Sequence, residues 1–95
     1  MNNVMLVGRL VKNPEVKEGK ALITLAITRP YKNLDGTYDT DFVDCVLWNG
    51  IAQNAAEWCK KGDVVGIRGR LQSDEGKIQV VAEKVTFLTS KKEAS

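Results

Sequence analysis

Five segments of the chain have the hydrophobicity pattern of β-strands, and one helical pattern separates the third segment from the fourth. The predicted strands comprise residues 3–11, 21–28, 38–48, 64–71 and 77–88. Turn-forming residues lie between them, including Asn13-Pro14, Asp35-Gly36 and a short polar stretch at 73–76. A chain of 95 residues has room for one hydrophobic core, so these elements are expected to form a single domain.

The first two strand segments differ in pattern. Residues 4–11 are nearly all apolar, which predicts a strand that is covered on both faces. Residues 21–28 alternate instead, so the second strand is expected to have one firmly apolar face. Pro30 should end this strand, which places Tyr31 and Lys32 in the following loop.

The segment after Asn49-Gly50 predicts one short amphipathic helix. Its apolar residues recur at helical spacing: Ile51, Ala52, Ala55, Trp58 and Cys59. Trp58 lies on this apolar stripe and is expected in the core rather than in contact with nucleic acid. Lys60 and Lys61 are expected in the last helical turn, with Gly62 as the residue that stops the helix.

The order of three strands, one helix and two strands predicts an all-β protein of a particular architecture. It is typical of the five-stranded OB-fold, a Greek-key barrel with one short α-helix between strands 3 and 4. A four-stranded RNA-recognition sheet would need two helices, and a cold-shock barrel would lack this helix. We expect residues 1–90 to form the barrel and residues 91–95 to form a short polar tail.

Several features argue against an enzyme. The sequence has no histidine, which is the commonest general base and transition-metal ligand. Its acidic cluster of Asp39, Asp41 and Asp44 would place Asp41 and Asp44 on opposite faces of a regular strand, whereas a metal-dependent nuclease needs converging carboxylates. Cys45 and Cys59 lack the close spacing of a zinc or redox pair and are expected to be buried apolar residues. A non-catalytic protein without cofactor or metal is expected.

Charge and hydropathy place the protein in the cytoplasm but do not identify its ligand. The formal net charge of +2 is too small to indicate nucleic-acid binding by itself. No stretch approaches the roughly 18 apolar residues of a membrane span. The N-terminal segment also lacks the apolar core and cleavage site of a signal peptide. We therefore expect a cytoplasmic protein with no membrane partner.

The third predicted strand carries two large aromatic residues on one face. Phe42, Asp44, Val46 and Trp48 share this face, and the charged Asp44 indicates that it is wet. Exposed aromatic rings on a barrel can stack on unpaired bases, worth about 1–3 kcal/mol per base. Packing of Phe42 and Trp48 against loops or a partner subunit is an equally good interpretation of the spacing alone.

Basic residues provide further candidate contacts. Arg68 and Arg70 share one face of the fourth strand, and arginine can both pair with phosphate and stack on a base. An ordinary solvated face is the alternative interpretation. Tyr31-Lys32 places an aromatic residue next to a cation. Five other residues could add to a phosphate-attracting field: Arg9, Lys12, Lys20, Lys77 and Lys84.

Three pieces of the sequence resemble bacterial single-stranded DNA-binding proteins in order and spacing. They are residues 4–10 with Asn13-Pro14-Glu15, residues 41–48, and the helix end at 60–62 together with residues 66–72. The resemblance extends from Met1 to about Leu88. It implies non-catalytic, largely sequence-independent binding and protection of single-stranded DNA during replication, recombination or repair, in association with the nucleoid.

The resemblance also implies which residues contact DNA. An aromatic residue after the second strand and two on the third stack on bases in the family, and these positions match Tyr31, Phe42 and Trp48. The full set of expected contacts is aromatic or basic: Tyr31, Lys32, Phe42, Trp48, Arg68, Arg70, Arg9 and Lys12.

The resemblance further implies a homo-oligomer, a tetramer rather than a dimer, wrapped by single-stranded DNA. The family usually has a longer hairpin between strands 4 and 5, so less DNA contact per subunit is expected here. Family members recruit replication or repair proteins through a flexible tail with an acidic tip. This sequence ends at Ser95 without one, so such recruitment has no basis in the sequence. The alternative function is an OB-fold protein-interaction subunit of the primosome or replication-restart type, which would not need the aromatic face.

Overall fold

A computed structural model describes residues 1–88 of the chain. Its elements, in chain order, are β1 (Val4–Leu10), β2 (Val16–Lys17), β3 (Lys20–Lys32), β4 (Tyr38–Trp48), α1 (Asn49–Trp58), β5 (Val64–Asp74) and β6 (Lys77–Phe87). The five long strands and the helix follow the predicted order, and the two-residue β2 is an addition to it. The predicted domain end at residue 90 and the polar tail lie outside the described residues.

The five long strands close into a barrel. Their order around it is β1-β5-β6-β4-β3, and β1 pairs with β3 to complete the ring. Neighbouring strands are antiparallel except β4 and β6, where Cys45 and Val46 lie in parallel register with Val80 and Val81. This arrangement confirms the predicted OB-fold, with its helix after the third long strand.

The core lies inside the barrel and consists of alternate residues from every long strand. The largest side chains with almost no exposed surface are Ile23, Leu25, Leu47, Val65 and Cys45. Helix α1 covers the core with the small side chains of Ala52 and Ala55, which are also buried. Each fully buried aliphatic side chain of this size stabilises the fold by about 1.5–3 kcal/mol.

Both cysteines are buried, as predicted, and they are not joined in a disulfide. Burial raises the pKa of Cys45 to about 12 because the thiolate cannot be solvated in the core, and the nearby Asp44 carboxylate contributes in the same direction. Cys45 is therefore protonated at physiological pH and behaves as an apolar residue.

The β3–β4 hairpin is longer than the sequence predicts. β3 continues through Pro30 to Lys32, so Tyr31 and Lys32 lie on the strand and the prediction of a loop is wrong. The register with β4 shifts between Thr28 and Lys32. Proline is tolerated at such an irregularity because its missing N–H leaves no gap in a regular hydrogen-bond ladder.

Helix α1 ends earlier than predicted, and Lys60 and Lys61 lie beyond its last turn. The Asp63 carboxylate accepts a hydrogen bond from the Lys60 backbone N–H at 3.0 Å and so stabilises the turn that follows the helix. Gly62 has a positive φ of 94°, as expected for a stop residue, but it lies in this turn. No helix in the described part of the chain is long and apolar enough to cross a membrane.

Trp58 is not in the core, contrary to prediction, because 49% of it is exposed. Successive residues of a helix are about 100° apart, so Trp58 lies at the edge of the stripe that Ala52, Ala55 and Cys59 define. The narrow stripe of small residues already covers the barrel, and the indole is left at the surface.

β1 is covered on one face only, which corrects the prediction of a doubly covered strand. Its residues alternate between the core and the surface, with Met5 79% and Val7 59% exposed. No other element within residues 1–88 packs over this outer face.

The strand irregularity at Gly69 allows a test of the barrel. A Cβ atom at Gly69 would lie 2.0 Å from the carbonyl oxygen of Val81, so Gly69→Ala must displace the β5–β6 backbone. We expect a loss of about 3 kcal/mol, which corresponds to roughly 12–24 °C in Tm for a domain of this size, measured by circular dichroism. The matched control is Gly50→Ala in α1, where a Cβ meets nothing within 4 Å and stability should be unchanged or slightly higher. Equal melting temperatures for wild type and Gly69→Ala would contradict the described packing.

Candidate nucleic-acid interface

The outward-facing residues of β3 and β4 form one continuous surface. The two strands stay in uninterrupted antiparallel register from the Lys20–Trp48 pair to the Thr28–Thr40 pair. Residues directly opposite each other in antiparallel strands point to the same side of the sheet. The even-numbered residues therefore point away from the core, and we refer to them as the outer β3–β4 face: Lys20, Leu22, Thr24, Ala26, Thr28, Thr40, Phe42, Asp44, Val46 and Trp48.

Two aromatic rings lie on the outer β3–β4 face, as strand alternation predicts. Phe42 is 66% and Trp48 46% exposed. They are six residues apart on one strand, a span of roughly 20 Å. Since no described loop covers either ring, both have a face available to a flat ligand.

One part of the outer β3–β4 face is drier than predicted. Val46 was expected on a wet surface, but it is only 3% exposed. The parallel pairing of β4 with β6 places Val46 beside Val81, which is also buried, and Leu22 lies opposite on β3. The surface between the two rings therefore consists of the apolar side chains of Val46 and Leu22 and the charged side chain of Asp44.

Lys20 contacts Trp48 directly. Its Nζ atom lies 5.3 Å from the centroid of the indole ring, a cation–π geometry. The sequence identified Lys20 as a basic residue without a location, because the contact depends on the β3–β4 register. Counting residue pairs outward from the predicted hairpin turn would have missed it, because the register shift between Thr28 and Lys32 displaces the pairing.

A second charged cluster lies on the opposite side of the same hairpin. The guanidinium of Arg29 donates to both carboxylate oxygens of Asp41, at 2.8 and 3.1 Å, and lies 3.6 Å from Asp39. Asp41 and Asp44 point to opposite sides, as alternation predicts. The hydrogen bond from Arg29 lowers the pKa of Asp41 and raises that of Arg29. In residues 1–88 no group of three or more acidic or cysteine side chains could hold a metal ion.

Tyr31 and Lys32 lie near the tip of this hairpin. Both are exposed, and Lys32 is opposite Tyr38, which is exposed as well. The loop beyond them is ordered by its own hydrogen bonds, including one of 2.7 Å from Asn33 N–H to the carbonyl oxygen of Thr37. The hairpin thus presents a third and a fourth aromatic ring beyond the end of the barrel.

Arg9 and Lys12 border the outer β3–β4 face. Arg9 lies in one outward-facing row with Ala26 and Phe42, across β1, β3 and β4. Its guanidinium donates to the backbone carbonyl oxygen of Gly62 at 2.7 Å, next to the start of β5. Lys12 lines a shallow concavity together with Lys20.

The structure does not bring Arg68 and Arg70 to the rings. β5 is separated from β4 by β6 in one direction and by β1 and β3 in the other. Arg70 forms an ion pair with Glu83 at 3.3 Å, a partner that the sequence pattern did not reveal. Arg68 lies in register between Met5 and Lys84 on the far side of the barrel.

The Arg29–Asp41 pair should be visible in the titration of the protein. Because the pKa of Asp41 is lowered, the pair stabilises the fold above the unfolded pKa of about 3.9, and this stabilisation is lost as the pH falls through the lower folded value. Arg29→Gln should return the pKa of Asp41 to its ordinary range, as measured by NMR titration of the side-chain carboxyl carbons. Asp35 is the internal control, because its pKa is lowered by hydrogen bonds from Thr37 and not by Arg29. If Arg29→Gln changed the pKa values of Asp35 and Asp41 equally, Arg29 would not be the specific cause of the lowered pKa of Asp41.

Comparison with known proteins agrees with this geometry. A family model described as the single-strand binding protein family matches residues 1–89. Single-stranded DNA-binding protein 3 of Listeria innocua is 43% identical over an alignment of 105 residues. The alignment covers 96% of this chain and 66% of that protein. Single-stranded DNA-binding protein B of Bacillus subtilis is 40% identical over 104 residues, covering 95% of this chain and 92% of that protein. The chain thus spans about two thirds of the Listeria protein and most of the Bacillus protein.

Proposed function

The chain belongs to the single-strand binding protein family, and we propose that it binds and protects single-stranded DNA largely independently of base sequence, without catalysing a reaction. The observation that most favours this function is the exposure of Phe42 and Trp48 on the outer β3–β4 face. The relatives from Listeria and Bacillus are named for the same ligand. We infer that it acts on single strands exposed during replication, recombination or repair, in the cytoplasm at the nucleoid.

Base stacking accounts for binding that tolerates any sequence. Every base has a π-face, so a ring such as that of Phe42 or Trp48 can accept any of them, at about 1–3 kcal/mol per base. The rings are held apart by the strand rather than by a flexible loop, so little order has to be gained on binding. Tyr31, near the hairpin tip, would extend the path of the bound DNA beyond the barrel.

Phosphate contacts would come from the cations nearest the rings. Lys20 lies over the indole of Trp48, and Arg9 and Lys12 border the same face. Lys32 lies beside Tyr31. A base that stacks on Trp48 would displace the Lys20 ammonium from the ring and leave it free to pair with a phosphate. Each phosphate neutralised should add a slope of about −0.7 to the logarithmic salt dependence of affinity. Arg68 and Arg70 would contact DNA only where the bound DNA continues around the barrel to β5.

Fluorescence of the two tryptophans tests the assignment, because they lie in different places. Trp48 is on the outer β3–β4 face, and Trp58 is half-exposed at the end of α1. In Trp58→Phe, oligo-dT should strongly quench the remaining Trp48. In the matched control Trp48→Phe, the remaining Trp58 should respond weakly. Trp48→Ala should weaken binding by roughly 5- to 150-fold, and affinity should fall as salt rises.

Two results would contradict the proposal. Equal quenching of both tryptophans would show that DNA is not held by the outer β3–β4 face. No binding of oligo-dT at low salt would show that the function itself is wrong. The second result would point to the alternative, a barrel of the replication-restart type that binds proteins, which the exposed rings and the family match do not favour.

We also propose that the protein is a homo-oligomer in which the outer face of β1 contacts a second copy. Met5 and Val7 expose apolar side chains there and line a shallow concavity with Leu88, Arg68 and Lys84. Contiguous exposed apolar surface of this kind is typical of protein interfaces, and a two-fold axis would pair the patch with itself. The family resemblance extends the assembly to a tetramer. This patch is separate from the rings, so DNA could bind the assembled protein.

Val7→Glu should break this contact, because it would bury a charge at the centre of the interface. Analytical ultracentrifugation at micromolar concentration should give the mass of four chains for wild type and a smaller species for Val7→Glu. The matched control is Leu34→Glu, which places the same charge at an exposed apolar residue of the hairpin tip and should leave the mass unchanged. A monomeric wild type would contradict the oligomer, and an unchanged mass for Val7→Glu would contradict the use of β1.

A further inference from the structure

Asp44 is the one acidic residue on the outer β3–β4 face. It lies between the two rings, and its outward-facing neighbours are uncharged: Phe42 and Val46 along β4, and Thr24 opposite on β3. The Thr24 hydroxyl donates to Oδ1 of Asp44 at 2.8 Å. Within residues 1–88, Asp44 has no cationic partner, and its Oδ2 atom accepts no hydrogen bond.

Three other acidic side chains on the hairpin and the β5–β6 pair are neutralised by arginine. Arg29 pairs with Asp39 and Asp41, and Arg70 pairs with Glu83. On the outer β3–β4 face, Asp44 keeps an uncompensated negative charge on a surface that would follow a polyanion. Coulomb repulsion from phosphates makes this carboxylate unfavourable for general DNA affinity. A favourable interaction with part of the nucleotide other than phosphate would offset that repulsion.

The bases supply such a partner. A carboxylate only accepts hydrogen bonds, and the amino group of cytosine donates them, whereas uracil and thymine carry a carbonyl oxygen at the same ring position. The hydrogen bond from Thr24 orients the carboxylate and leaves Oδ2 available. A base stacked on the neighbouring Phe42 would have its edge within reach of the next outward-facing side chain on the strand.

We propose that Asp44 is a specificity-determining residue that favours bases with an amino donor, cytosine above all, over thymine and uracil. This inference rests on the proposed function, since it requires single-stranded DNA on the outer β3–β4 face. Stacking alone would give almost no preference among bases, and Asp44 would add one.

Oligo-dC and oligo-dU of equal length are the matched ligands, because their bases differ chiefly in the amino or carbonyl group at one ring position. Affinity is measured by anisotropy of end-labelled oligonucleotides at fixed low salt. The ratio of oligo-dC affinity to oligo-dU affinity should be about five times larger for wild type than for Asp44→Asn, which is the size of one good base contact. Asp44→Asn should bring the two affinities together, because its amide can serve either base. This substitution is nearly isosteric and can keep the bond from Thr24.

Asp74→Asn is the matched control, because it removes the same charge from an exposed residue at the far end of β5 and should leave the dC to dU ratio as in wild type. A rise in affinity for both oligonucleotides by the same factor in Asp44→Asn would overturn the inference, because it would show simple charge repulsion. An unchanged ratio would overturn it as well. If neither oligonucleotide binds wild type, the proposed function is wrong and the inference fails with it, a result distinct from binding without selectivity.

Discussion

The antiparallel register between β3 and β4 is the constraint on which both the barrel and its binding surface depend. It places Ile23, Leu25 and Cys45 in the core and, by the same alternation, Phe42 and Trp48 outside. A slip of one residue would exchange the two faces of a strand and bury its charged and aromatic outer residues. Burial of the apolar set therefore fixes the positions of the rings, and the free energy that folds the barrel also orients the groups that would bind DNA.

Closure of the barrel divides the remaining surface into regions with different chemistry. The outer β3–β4 face carries the rings, with Lys20 and Arg9 at its edges. The outer side of β1 carries exposed apolar residues instead, and β6 lies between β4 and β5. DNA binding and self-association can therefore use separate surfaces of one small domain. Arg29 neutralises Asp39 and Asp41 on the other side of the hairpin, whereas the carboxylate of Asp44 on the outer β3–β4 face has no ion-pair partner within residues 1–88.

Local sequence patterns predicted what depends on near neighbours in the chain. Alternation gave the five strands, the buried cysteines and the shared face of Phe42 and Trp48, because side-chain direction in a strand follows from its own backbone. Two of the errors involve partners on another strand. Pro30 is accommodated by a register shift against β4, and Val46 is buried beside Val81 of β6. The contact of Lys20 with Trp48 and the pairing of Arg70 with Glu83 likewise require strand registers that no single segment encodes.

The location of bound DNA is most directly measured by amide and indole NMR shifts of isotope-labelled protein during titration with oligo-dT. Binding across the outer β3–β4 face predicts the largest changes at Lys20, Phe42 and the indole N–H of Trp48, with the indole of Trp58 almost unaffected. Changes concentrated instead around Met5, Val7 and Lys84 would place the DNA on the opposite side of the barrel. That result would contradict the central role of the two rings.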